Sequence, residues 1–229
     1  MSTNFVIPAP TITKISIKDS QDFFPIRRIY CIGRNYADHI KELKNNRPND
    51  PVIFLKTDTS VILKNQPFFI PSFSNDIHHE VELLIKIKKI GKFIDPKFSH
   101  KYYDEISLGI DFTARDLQSE LKSKGLPWEK SKAFDGSAMI GKWVDKSKFK
   151  DINNLTFSLE VNGNLAQNGN TSLMLWNIDE IISYVSKYFT LKIGDVIFTG
   201  TPAGVGSVNI NDQLIGKIED EEFFKLKIK

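Results

Sequence analysis

The sequence predicts an α+β fold rich in β-structure. Strand-length apolar or alternating runs recur along the chain, only three segments carry convincing helix signals, and no repeat, linker or low-complexity tract interrupts them. Taking the elements in order, Ile29 to Ile32 reads as a short apolar strand. Asn35 then offers an N-cap for a helix from about Tyr36 to Lys44, which makes Gly33-Arg34-Asn35 a strand-to-helix turn. Pro51 to Lys56 is a second strand. From Glu80 to Lys88 the alternation puts Val81, Leu83, Ile85 and Ile87 on one face and Glu80 with Glu82 on the other. Ile106 to Phe112 is another strand, and Thr113 with Asp116 suggests a capping box for a helix through Lys124, ended by Gly125 and Pro127. Leu155, Phe157, Leu159 and Val161 alternate up to Asn162-Gly163, a two-residue hairpin signal. Asn177 with Glu180 caps the third helix, whose stripe is Ile178, Ile181, Ile182, Val185 and Phe189. Val196 to Phe198 is a short strand leading into the glycine-rich loop Thr199 to Gly206.

Length and composition bound the function. A chain of 229 residues is the size of one well-cored domain, so residues 1–229 are expected to fold as a unit. A hydrophobic share of 41% with 26% charged residues is an ordinary globular balance, not that of a disordered chain. The net charge of +3 comes from lysines scattered among acids, which is not the clustered basic footprint of a nucleic-acid groove. The single cysteine, Cys31, lies in an apolar run and reads as a buried, inert thiol suited to a reducing cytosol. Neither a signal-peptide pattern at Met1 to Lys14 nor a bilayer-length apolar stretch is present, so a cytoplasmic protein without a membrane partner is expected.

Three features carry possible chemistry. Glu80 and Glu82, two apart on a strand, stand about 6.5–7 Å apart at the backbone, close enough for both carboxylates to meet one ion. Lys86 and Lys88 further along keep a solvated strand face open as the alternative. Asp111 ends an apolar strand just before a helix; with Thr113 supplying the cap, the aspartate has no structural duty. Three such oxygen ligands suit Mg²⁺ or Mn²⁺, and no zinc motif competes. His39 and Glu42, three apart, share a helix face as a carboxylate-oriented imidazole requires, although a plain surface pair has the same spacing. In the 200–206 loop the backbone amides and Thr201 offer a cradle for a substrate carboxylate, or simply a tight turn. Lys132, flanked by Trp128 and Phe134, reads as a surface or half-buried lysine.

Together these segments resemble the fumarylacetoacetate hydrolase domain family, and most of all its short acylpyruvate hydrolase branch, over about Ile29 to Val208. The carriers are Gly33-Arg34-Asn35-Tyr36-Ala37-Asp38-His39, Phe54-Leu55-Lys56, His78-His79-Glu80-Val81-Glu82, Asp111 to Gln118, Gly125-Leu126-Pro127-Trp128, Lys132 to Ser137 and Thr199 to Gly206. The resemblance implies a rolled, barrel-like mixed β-sheet with a few peripheral helices, a homodimer, and a small 2-oxo acid as substrate. It implies Glu80, Glu82 and Asp111 as ligands of Mg²⁺ or Mn²⁺ and His39 with Glu42 as a water-activating dyad. Lys132 and Gln118 would face the substrate, with Arg34, Arg115 and Thr201 as helpers. The reaction implied is hydrolysis of the C–C bond of an acylpyruvate such as acetylpyruvate or fumarylpyruvate. The alternatives are oxaloacetate decarboxylation or tautomerisation, isomerisation or hydration of a related acid, and a silent 2-oxo acid binding protein. Lys56-Thr57 and Ser137-Ala138-Met139 lack prolines common in relatives, which bears on substrate choice.

Overall fold

A computed structural model describes residues 6–8, 11–16, 21–63 and 66–229. Its centre is a mixed sheet in the order Val144–Asp145, Glu105–Asp111, Val81–Lys86, Val196–Phe198, Ile29–Gly33, Val52–Lys56, with Ala138–Ile140 also paired to Glu105–Asp111. All of these pairings are antiparallel except Val196–Phe198 with Ile29–Gly33. The sheet curls into a half-barrel, as expected for the rolled β fold. Against it lies an antiparallel four-stranded sheet, Asn164–Asn170, Thr156–Val161, Gln213–Ile218 and Glu221–Lys227. Asn162 and Gly163, both at positive φ, turn its first hairpin as the sequence suggests. The helices are α1 (Ala37–Glu42), α2 (Pro96–Ser99), α3 (Arg115–Ser123), α4 (Glu129–Lys132) and α5 (Ile178–Tyr188). Among the described residues no helix is long and apolar enough to cross a membrane.

Side-chain alternation on Val81–Lys86 explains the layering. Val81, Leu83, Ile85 and Ile87 enter the main core with Phe157, Leu159, Leu214 and Ile218 of the second sheet and Ile181, Ile182 and Val185 of α5. Each such side chain, fully buried, contributes roughly 1.5–3 kcal/mol of transfer free energy. Leu84, on the opposite face, joins Phe24, Ile29, Cys31, Trp143, Val196 and Phe198 in a second cluster. Lys86 on that face is buried too; its ammonium pairs with Glu105 and lies over the rings of Phe24 and Trp143. The solvated-face alternative for this strand therefore fails. Glu80 and Glu82 belong to a buried polar patch on an otherwise apolar surface.

Two expected caps are corrected. α1 begins after Tyr36 and receives no side-chain cap. Asn35 instead ties distant loops together, its amide donating to the Thr199 and Trp176 carbonyls while its oxygen accepts the Trp176 N–H at 2.9 Å. Thr113 does not cap α3, whose N-cap is Ala114 with no side-chain bond. Its hydroxyl accepts a hydrogen bond from Lys132, and Asp116 turns to Ser74 and Asn75. At α5 the expected capping box forms, with Asn177 and Glu180 bonded reciprocally at 3.0 and 2.8 Å.

Candidate metal centre and active-site cleft

Strand register brings the three acids together. Glu80 lies opposite Asp111, whose N–H donates to the Glu80 carbonyl at 2.9 Å, and the next pair along is Val81 with Ile110. Residues directly opposed on antiparallel strands point to the same face, and Glu82 is one alternation further on. One carboxylate oxygen from each of Glu80, Glu82 and Asp111 lies within 4.8 Å of the others, and all three residues are buried.

The surrounding groups hold this charge in place. The Lys132 ammonium donates to Glu80 Oε2 and Asp111 Oδ2, each at 2.7 Å, and to Thr113 Oγ1 at 2.6 Å. It is buried at the end of α4, which corrects the expectation of a surface or half-buried lysine. An ammonium has three N–H donors, so in this arrangement all are taken and Lys132 acts on the carboxylates by charge and position. Arg115, opening α3, grips Glu80 with one guanidinium nitrogen and donates to Gln118 Oε1 at 2.5 Å with another. The Gly200 N–H donates to Glu82 Oε2 at 2.6 Å, so the glycine-rich loop receives one of the protein's own carboxylates. Gly200 has φ +103°, and a Cβ there would stand 2.7 Å from Asn35 Cβ, so this close approach requires glycine. Lys56, fully buried, bonds Ser137 Oγ at 2.9 Å and reaches the Lys132 carbonyl. Its Nζ stands 2.8 Å from Asp111 Oδ1 but out of hydrogen-bonding alignment, so that buried oxygen accepts no hydrogen bond from the described residues.

The electrostatics show what the cluster lacks. Burial would raise the Glu80 carboxyl, but the Lys132 ammonium and Arg115 guanidinium outweigh it and hold the pKa well below the usual carboxylate range. Glu82 has no such partner, and burial, reinforced by Asp111 and Glu80, pushes its pKa well up. Burial also opposes the Lys132 charge, yet Asp111 and Glu80 prevail and keep it an ammonium. A group of three converging buried carboxylates with one pushed toward protonation fits a divalent cation. The all-oxygen donor set selects a hard one.

Around the acids opens a cleft. Of the residues expected at the site, Arg34, His39, Arg115, Gln118, Lys132 and Thr201 line it together with the three acids. Glu42 stands behind His39, accepting from or facing its Nδ1 at 3.1 Å, while the Gly204 N–H donates to the other carboxylate oxygen at 2.9 Å. The dyad is thus pinned to the glycine-rich loop and is more than a surface pair. Burial lowers the His39 pKa, and Glu80 and Glu42 offset this only in part, so the ring is a neutral base at pH 7. Thr201 accepts from Gln167 Nε2 at 2.9 Å, and the same Gln167 binds His79 and the Val81 N–H. The sequence reading missed Lys56 as a site residue, and also Phe54, Trp128, Asn45 and Lys122 of the cleft wall. A lysine closing the apolar run Val52 to Lys56 was the available signal for the first; Asn45 and Lys122 come together only through the fold.

A rolled β-sheet carrying three buried acids beside an oriented, neutral histidine defines an enzyme of the divalent-metal class. The chain belongs to the fumarylacetoacetate hydrolase family: residues 28–226 match the family model described as fumarylacetoacetate (FAA) hydrolase C-terminal. It is 42% identical over 203 residues to the oxaloacetate tautomerase FAHD1, mitochondrial, of Bos taurus, covering 89% of this chain and 92% of that protein. To the mitochondrial oxaloacetate decarboxylase of Dictyostelium discoideum it is 46% identical over 183 residues, covering 80% and 84%. Among solved structures it is similar to fumarylpyruvate hydrolase from Pseudomonas aeruginosa in complex with Mn²⁺ and pyruvate, with TM-score 0.92, 33% identity, and coverage of 98% and 99%.

Proposed function

We propose that the chain catalyses proton transfer on oxaloacetate, interconverting its keto and enol forms at a Mg²⁺ or Mn²⁺ site. This departs from the expectation of acylpyruvate hydrolysis, because the oxaloacetate enzymes are the relatives at 42% and 46% identity. The observation that carries it in this chain is His39: buried, neutral, tied through Nδ1 to Glu42, and on the wall of the cleft that holds the acids. With Nδ1 so engaged, Nε2 is the basic atom left to take the C3 proton. Glu80, Glu82 and Asp111 would hold the divalent cation, which when bound would supply Lewis-acid stabilisation of the enolate charge. Gln118, its Oε1 fixed by Arg115, has its amide N–H groups left to donate to O2, and the proton that His39 took from C3, given up to O2, completes the enol and returns the imidazole to its neutral form. Lys132 keeps Glu80 ionised and, through its contact with Asp111 Oδ2, holds that side chain in place.

The second reading is the expected hydrolysis, favoured by the Glu42–Gly204 anchor and by likeness to the fumarylpyruvate hydrolase structure. Here His39 takes a proton from water, the oxygen attacks the distal carbonyl carbon, and the C3–C4 bond breaks to give a carboxylic acid and pyruvate. The test is turnover of oxaloacetate, acetylpyruvate and fumarylpyruvate with Mg²⁺ and with chelator, against protein-free blanks. Enol formation that outpaces all C–C cleavage supports the tautomerase reading. Faster cleavage of either acylpyruvate overturns it, and turnover unaffected by chelator removes the cation from both readings.

A further inference from the structure

The more exposed end of the cleft carries positive charge that the chemistry above does not use. Asn45 Oδ1 accepts a hydrogen bond from Lys122 Nζ at 2.7 Å and from the Arg34 guanidinium at 3.4 Å, and both cations are half-buried. Neither forms an ion pair with a carboxylate of the described residues, so two like charges share one neutral oxygen. Burial lowers the Lys122 pKa, and Arg34 and Arg115 add to the effect, which marks an arrangement that an anion would relieve. With its oxygen so engaged, Asn45 has its amide N–H groups left for an acceptor. The cluster is also continuous with the metal centre. Arg115, Gln118 and Lys122 follow the three-and-four spacing of one face of α3, so a single helix face runs from the Glu80 contact to this cationic end. At 1.5 Å per residue the backbone span from Arg115 to Lys122 is about 10 Å, and the lysine arm leans back toward the helix N-terminus. Trp128 and Leu43 supply apolar wall.

We infer that Arg34, Lys122 and the Asn45 amide form a subsite for the second carboxylate of a dicarboxylic ligand whose 2-oxo acid end lies at Glu80, Glu82 and Asp111. The inference rests on the functional reading above and narrows its substrate to short dicarboxylic 2-oxo acids. A monocarboxylic analogue leaves the cationic pair unanswered.

Calorimetric binding to the Mg²⁺-loaded protein tests this without turnover, using malate and lactate, two 2-hydroxy acids that differ by the distal carboxylate. A charge-assisted contact at a half-exposed site corresponds to a roughly tenfold preference for malate. In Lys122→Met the two affinities come within about twofold through loss of malate binding, whereas Lys122→Arg retains the preference. No malate preference in the wild type, or a preference undiminished in Lys122→Met, overturns the inference. Oxaloacetate turnover is scored separately: a malate preference in a protein that turns over no oxaloacetate upholds the subsite and rejects the tautomerase, and the converse result rejects the subsite alone.

Discussion

Replacing Lys132 with methionine removes one buried charge while nearly preserving side-chain volume, and so isolates the role of the ammonium. In the native arrangement that group serves Glu80, Asp111 and Thr113 at 2.6–2.7 Å. Breaking a buried ion pair by deleting one partner costs about 3–5 kcal/mol. Both carboxylates keep another cation nearby, Arg115 for Glu80 and Lys56 for Asp111, which places the loss at the lower end, about 3 kcal/mol. For a domain of this size each kcal/mol shifts Tm by roughly 2–4 °C, so Lys132→Met is expected to melt about 6–12 °C below the wild type in chelator. Scanning calorimetry measures it. Saturating Mg²⁺ is expected to narrow the gap, because a cation bound to the folded protein alone adds stability and compensates the same carboxylates. A variant that melts within about 2 °C of wild type in chelator refutes the claim that Lys132 neutralises this cluster.

Three further outcomes follow from the same geometry. His39→Ala is expected to lower kcat by roughly 10²–10⁴-fold while calorimetric Mg²⁺ affinity stays near wild type; unchanged turnover removes His39 from the chemistry. Because burial holds the His39 pKa below 6.5, the imidazole is protonated and inactive only below that lowered value. The acid limb of kcat/KM against pH should accordingly have its midpoint below 6.5, and a midpoint above it contradicts a neutral base. Glu82→Gln deletes one of three anionic ligands and is expected to weaken Mg²⁺ binding by at least about tenfold; an unaltered affinity places the cation elsewhere.

Much of this site was legible because its elements follow local rules. The period of two on Val81–Lys86 separated the acids from the core residues, and the three-residue spacing of His39 and Glu42 placed them on one helical face. The errors arose where a residue serves a partner far along the chain. Asn35 has the composition of a cap, yet its amide is spent on Trp176 and Thr199, 141 and 164 residues away. Thr113 likewise forgoes capping for Lys132. The elimination that set Asp111 aside for chemistry loses its premise, because the Thr113 cap does not exist; strand register is what brings Asp111 opposite Glu80. Lys132 looked ordinary because burial of a lysine depends on acids that only the folded sheet assembles around it.

The same alternation that made the acids visible also separates stability from chemistry. Val81, Leu83 and Ile85 anchor the main core while Glu80 and Glu82 face the cleft, so the carboxylates of the candidate metal centre are held by a strand whose residues are all buried. Rigid strands suit a metal centre, whose ligands must keep their spacing with or without the ion. The proposed base is placed differently: His39 sits on the short helix α1, and Glu42 is fastened to the glycine-rich loop by the Gly204 N–H. Gly204 has φ +96°, and a Cβ there would lie 2.3 Å from the Ala166 carbonyl oxygen, so the loop can bring that amide to Glu42 only through glycine. The cation site and the base therefore depend on different parts of the fold, and damage to the loop should impair proton transfer while leaving the three carboxylates where the sheet puts them.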